Sequence, residues 1–368
     1  MISMNDFKLE SDEIQKEMLL AVDRVIKSGW YILGPELEKF ENEWAQICKA
    51  KYGVGVGNGM DAIEIILRSM NIGPGDEVIT TPMTAFATVL AILRAGATPV
   101  LADIESDTVL LSMDSVRRCI SSKTKAVVLV HLYGQMKALD SWKLFCDEHH
   151  ISLIEDCAQS HLASWNGLSG GNFGIAGAYS FYPTKNLGAL GDGGMIVTSD
   201  EVLARTASTL RNYGQSVRYE HPLVGMNSRL DEVQAAILAV KLKCLSKYTV
   251  RRREIASQYL TGIQNQYISN LSAPVNIESH VYHLYVVTSK YRNDLQTYLN
   301  NQSIQSLIHY PIPIHHQKPC LDMARDPVGL ANSEKHAAQC LSLPCHPHMT
   351  QEDVDQVIKT VNSFVPHN

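Results

Sequence analysis

Through its first two-thirds the chain alternates short runs of β-favouring residues with helix-length segments. The predicted strands are 52–56, 77–81, 99–103, 126–131, 152–155, 178–181 and 195–198, with helices such as 61–70, 85–95 and 138–149 between them. Such alternation argues for an α/β fold, a mostly parallel sheet with helices on both faces. In that architecture the loops beyond the C-terminal strand ends carry the chemistry. Gly193-Gly194 before Met195-Ile196-Val197 predicts a return strand, so the sheet is expected to be mixed. A helix rich in small residues (228–242) and a basic helix (247–259) close this part. Beyond about residue 250 the pattern becomes a strand (281–288), a helix (294–301), a strand (305–310) and two terminal helices. The expected division is therefore a large domain, 1–250, and a smaller α+β domain, 251–368. A length of 368 residues suits two domains.

A net charge of −6 with no Lys/Arg-rich run gives no electrostatic footprint for nucleic acid. The first residues lack a basic stretch leading into an apolar core, so no secretory signal is read. The most apolar stretch, 85–102, is interrupted by Arg94, Gly96 and Pro99 and reads as a helix entering a strand, not a membrane span. Eight cysteines without C-x-x-C spacing predict reduced thiols in a cytoplasmic protein. The histidine groups His149-His150, His315-His316 and His346/His348 lack a Cys or Glu at ligand spacing, so no metal site is expected.

Lys185 stands in Ser180-Phe181-Tyr182-Pro183-Thr184-Lys185-Asn186-Leu187-Gly188, among small and aromatic residues and ahead of a glycine cluster. A desolvated lysine loses pKa and becomes an amine nucleophile towards carbonyls. Upstream, the apolar run Ile151-Ser152-Leu153-Ile154 ends in Glu155-Asp156. A strand-end acid and a buried lysine are the pair that pyridoxal 5'-phosphate (PLP) requires, as pyridinium partner and Schiff-base amine. Val54-Gly55-Val56-Gly57-Asn58-Gly59-Met60-Asp61 leaves a strand and enters a helix, a cradle for an anion. No G-x-G-x-x-G register fits it, and no Lys-Ser/Thr completes a P-loop. Phe86 could stack on a flat ring, Gln159 could point at it, and Ser180 suits a phosphate oxygen. Taken singly, each of these is equally a core aromatic, a loop amide or a strand serine, and Asp156 a helix cap. Together they favour the cofactor.

Three segments carry a resemblance to a known family: Glu155-Asp156-Cys157-Ala158-Gln159-Ser160-His161, Ser180 to Gly194, and Gly225-Met226-Asn227-Ser228-Arg229-Leu230-Asp231-Glu232. With Ser28 to Pro35 and Leu341 to Pro344, the chain resembles the DegT/DnrJ/StrS PLP-dependent nucleotide-sugar aminotransferases of fold-type I. The resemblance implies a seven-stranded large-domain sheet and a Schiff-base role for Lys185. It further implies Asp156 at the pyridine nitrogen, Gln159 at the ring, and the phosphate held by Ser180 and the turn Gly59, Met60 and Asp61. Asn227 would reach the phosphate of a neighbouring subunit, making a homodimer with shared sites. Met60 replaces a common Ser/Thr hydroxyl, and Leu162 replaces the glycine that commonly follows the motif histidine. The subgroup resembled acts on dTDP-3-keto-6-deoxyhexoses, with glutamate as expected amino donor. Tyr31, Tyr182, Arg218, His309 and Tyr310 resemble its substrate-contacting positions. A 4-keto-sugar aminotransferase is the alternative within the class. A nicotinamide-dependent nucleotide-sugar oxidoreductase and a regulatory relative without turnover are the rivals outside it.

Overall fold

The computed structural model describes residues 1–366. Its strands are β1 (Tyr52–Val56), β2 (Glu77–Thr80), β3 (Thr98–Leu101), β4 (Thr124–Val130), β5 (Ser152–Asp156), β6 (Ser164–Trp165), β7 (Leu168–Ser169), β8 (Ala176–Ser180), β9 (Gly194–Thr198), β10 (Ser269–Asn270), β11 (Tyr285–Thr288), β12 (Ala324–Arg325) and β13 (Cys340–Leu343). Eight of them form one sheet in the order β1-β9-β8-β5-β4-β2-β3-β12. Only β9 runs against the rest, pairing antiparallel with β1 and β8. The return strand is thus present, and all seven strands read from the sequence lie in this sheet.

Two-residue periodicity along the strands divides the core between the two faces. Val78, Val128 and Ile154 pack with Ile63, Ile66, Ala91 and Leu203 on one side. Their neighbours Ile79, Val127 and Leu153 pack with Val116, Trp142 and Phe145 on the other. Near β8 and β9 the second face is covered by Leu37, Phe40 and Trp44 of the helix Pro35–Cys48. Each fully buried aliphatic side chain in these layers contributes roughly 1.5–3 kcal/mol.

The C-terminal third differs from its sequence reading in several places. The helices expected at 228–242 and 247–259 are one helix, Glu232–Gly262, because residues 243–246 contain no Gly or Pro to stop it. The expected strand 281–288 begins only at Tyr285. Tyr282 sits at φ 45°, outside the β region, and the Val281 and Leu284 amides on either side of it donate to the Gly134 and Tyr133 carbonyls. The expected strand 305–310 is not a strand; it is held by isolated bridges, Ile2 to Ile304 and Leu307 to Ser342. The short β12 was not foreseen and extends the large sheet beside β3. A separate core gathers Ile255, Tyr259, Tyr285, Leu299, Leu341, Val357 and Phe364, joined by Ile2. Residue 250 falls inside the continuous helix Glu232–Gly262.

All eight cysteines are free, seven of them buried. Among the described residues no helix is long and apolar enough to cross a membrane.

Candidate active site

The C-terminal ends of β1, β2, β4, β5 and β8 converge, as parallel α/β sheets require of a site. Asp156 is the last residue of β5 and is buried. Its Oδ2 accepts a hydrogen bond from the Thr88 hydroxyl (2.8 Å) and its Oδ1 one from the Ala158 amide (3.1 Å). Thr84 Oγ1 lies 2.8 Å from Thr88 Oγ1, so a two-hydroxyl chain fixes the carboxylate.

Lys185 lies in the turn after β8, its amide donating to the Tyr182 carbonyl at 2.8 Å. Burial pulls its amine down to about 8, and the nearby Asp156 charge pulls the other way. Burial also lowers three imidazoles, each then lowered further by Lys185: His161 to about 3, His309 to about 4, and His283 well below its usual value. Lys185 is therefore lined by neutral histidines. His161 is fully buried between Trp44, Tyr179 and Phe181, and neither ring nitrogen has a partner among the described residues.

Gln159 is held at both ends. Its Oε1 accepts from the Tyr133 amide (2.6 Å), and its Nε2 donates to Tyr310 Oη (3.3 Å). Burial, with Asp156 nearby, pushes the Tyr310 phenol up to about 12. His309 shares a 2.8 Å hydrogen bond with Ser342 Oγ, and its carbonyl accepts from the Tyr133 hydroxyl. The segment carrying His309 and Tyr310 is thus tied to Gln159 and Tyr133.

Asn58 caps the helix Gly59–Ser69, accepting from the Asp61 amide at 2.8 Å. The Asp61 carboxylate is turned away into structure: it accepts from Ser228 Oγ (2.7 Å) and Asn58 Nδ2 (3.1 Å) and pairs with Arg94. Only the Gly59 and Met60 amides are left to face an anion at this helix start. Gly59 lies against Ser180 so closely that a Cβ would stand 2.7 Å from the Ser180 Cβ. A glycine is needed to bring turn and hydroxyl together. Phe86 opens the helix Phe86–Arg94, half-buried beside Val89, Leu101 and Ile314.

The remaining predicted residues lie outward. Tyr31 and Tyr182 are about half exposed. Arg218 stacks over Tyr219 at 5.0 Å on an exposed loop. Asn227 is exposed and bridges Asn212. Among the described residues no hydrogen bond joins Arg218 or Asn227 to the Lys185 site.

Four residues at or beneath the site were not singled out from the sequence: Thr88, Tyr133, His283 and Glu155. The buried Glu155 Oε2 accepts from the amides of Gly171, Phe173 and Gly174 at 2.8–3.2 Å, while Oε1 meets His131 Nε2 at 3.1 Å. It pins a loop under the strand end. A carboxylate directly before a candidate catalytic acid was the available signal.

An α/β sheet with a desolvated lysine and a fixed strand-end acid at its carboxyl edge defines an aminotransferase-type enzyme. Residues 12–362 match the DegT/DnrJ/EryC1/StrS aminotransferase family, and the chain belongs to it. It is 46% identical to a dTDP-3-amino-3,6-dideoxy-alpha-D-galactopyranose transaminase of Aneurinibacillus thermoaerophilus, over 99% of both chains. It is 40% identical to a dTDP-3-amino-3,4,6-trideoxy-alpha-D-glucose transaminase of Streptomyces venezuelae, over 98% of this chain and 95% of the other. Among solved structures it is similar to S. venezuelae DesV in complex with a ketimine intermediate, with TM-score 0.94, 39% identity, and coverage of 98% and 97%. It is also similar to NtdA of Bacillus subtilis with bound cofactor PMP, with TM-score 0.87, 29% identity, and coverage of 96% and 82%.

Proposed function

We propose that the protein transfers an amino group from an amino acid, with glutamate the expected donor, to a dTDP-linked 3-keto-6-deoxyhexose, using PLP. One observation carries the cofactor reading: a half-buried lysine with depressed pKa beside a fixed carboxylate, under a Gly59–Ser180 contact too close for any side chain at 59. These residues fit PLP. Asp156 offers a negative charge for a ring nitrogen, and Gln159 a second ring contact. The Gly59 and Met60 amides with the Ser180 hydroxyl suit a phosphate. When bound, PLP supplies an aldehyde that takes up amino groups and a ring that accepts electrons as the neighbouring carbon loses its proton.

The chain's own residues divide the remaining work. Lys185 Nζ holds the cofactor and, when freed, takes and returns a proton in each half-reaction, which a pKa near working pH favours. Thr88 and the Ala158 amide keep Asp156 aimed. Tyr133 aims Gln159 through its amide and ties the His309 carbonyl through its hydroxyl. Tyr31, Tyr182, Arg218, His309 and Tyr310 are assigned to the sugar nucleotide, and Asn227 to the phosphate in a second copy's site. That makes a homodimer the working unit, in the cytoplasm.

The 3-amination is favoured by the names of the relatives at 46% and 40% identity. A panel of dTDP-3-keto- and 4-keto-6-deoxyhexoses with glutamate, read by NMR for the aminated carbon, tests it. Turnover of the 3-keto sugar is expected. Equal or better turnover of the 4-keto isomer would overturn the regiochemistry, and a protein with no visible band on adding PLP would overturn the cofactor.

A further inference from the structure

His315-His316 showed no third ligand within sequence spacing, but the fold brings one. Both histidines end the short turn Ile314–His316, and Glu334 lies in the first turn of the helix Ala331–Gln339. His315 Nε2 is 3.1 Å and His316 Nε2 3.6 Å from the same oxygen, Glu334 Oε1. All three ligand atoms lie within 4.8 Å of one another. We propose that His315, His316 and Glu334 form a three-ligand site for Zn2+, outside the Lys185 centre and independent of its chemistry.

Geometry supports this first. A tetrahedral Zn2+ with bonds of about 2.0 Å holds its ligand atoms roughly 3.3 Å apart, and the two observed distances bracket that spacing. His315 is 1% exposed and fixed, whereas His316 and Glu334 are about half exposed and free to adjust. Their exposure leaves a fourth position to water.

Both ligand-bearing elements are also anchored before any metal arrives. The Ile314 amide donates to the Pro82 carbonyl at 3.0 Å, and its side chain is buried with Val89, Leu101 and Leu330. The opposing helix is tied through the Asn332 and Ser333 amides to the Asp103 carboxylate, at 3.0 and 2.9 Å. The ligands therefore hang from the ends of β2 and β3, on the sheet itself.

The donor set selects the ion. Two imidazoles and a carboxylate suit Zn2+, whereas Mg2+ and Ca2+ prefer all-oxygen cages. His315 Nδ1 has no partner among the described residues. The metal-binding tautomer would carry that N–H unpaired, so the affinity falls below that of a closed four-ligand site with a satisfied outer shell.

The test uses tag-free holoenzyme, stripped with chelator and titrated with ZnCl2 by calorimetry. One Zn2+ per chain is expected, with His316→Ala and Glu334→Gln each weakening binding at least tenfold while circular dichroism stays unchanged. Both changes are at half-exposed positions and spare the buried His315. Absence of Zn2+ uptake up to millimolar concentration would refute the site, as would wild-type binding by both variants.

Discussion

The charge on Lys185 makes the site testable through pH alone. Its amine titrates near 8 instead of 10.5. At pH 7 about a tenth of the chains then carry free amine, against about three in ten thousand for an unshifted lysine, a gain of about 300-fold. With cofactor-free protein and saturating PLP, the capture step followed by stopped-flow absorbance should rise about tenfold per pH unit below 8 and level off above it. Asp156 is the group that holds the lysine pKa up. Asp156→Asn removes that negative charge, disfavours the ammonium and moves the inflection below about 8. Stability follows the same sign. The folded lysine binds its proton more weakly than the unfolded one, so between about pH 8 and 10.5 the unfolded chain holds more protons and stability rises with pH. Lys185→Met should remove that rise. A wild-type inflection near 10, or an upward shift in Asp156→Asn, would refute the reasoning.

Two further outcomes are expected. Gly59→Ala sets a Cβ 2.7 Å from the Ser180 Cβ and 3.2 Å from its Cα, so the turn must move off the hydroxyl. Half-saturation by PLP should rise at least tenfold with helical circular dichroism intact, and an unchanged titration would remove the turn from the phosphate site. If Asn227 serves a second copy's site, mixing inactive Lys185→Ala with Asn227→Ala protein should restore part of the activity, because each heterodimer has one intact centre; heterodimers that form without regaining activity would argue against sharing.

The parts of the fold that were legible are those whose signal is local. Parallel strands buried on both faces read as continuous runs such as Ala126-Val127-Val128-Leu129-Val130, and the six longer ones were found, together with the antiparallel β9. The edge strand Ala324–Arg325 is two exposed residues and carries no pattern. Residues 305–310 look β-like, but their partners come from both ends of the chain, Ile2 and Ser342, and pairing never extends. The site divides in the same way. Lys185, Asp156, Ser180 and Gly59 announce themselves by strand-end position and neighbours. Thr88, Tyr133 and His283 act through contacts across the fold, with Tyr133 bonded to Gln159 and His309, and no spacing rule reveals them. Asp61 shows the converse: it occupies the expected turn, yet its side chain serves Ser228 and Arg94.

The position of β1 in the sheet has a consequence for synthesis. It is the first strand made but sits at an edge, and among the described residues its one strand partner is β9, through pairs such as Tyr52 with Thr198. A ribosome must therefore add more than 130 residues after β1 before that ladder can close. Until then β2 and β3, which adjoin in the sheet, can pair, whereas β1 keeps open backbone groups. The Gly59 turn hangs from the end of β1, and Gly194 of β9 is packed against Asn58. A nascent chain halted before β9 would hold most of the sheet's hydrophobic layers and still lack the packing of Gly194 against Asn58 that sets the Gly59 turn.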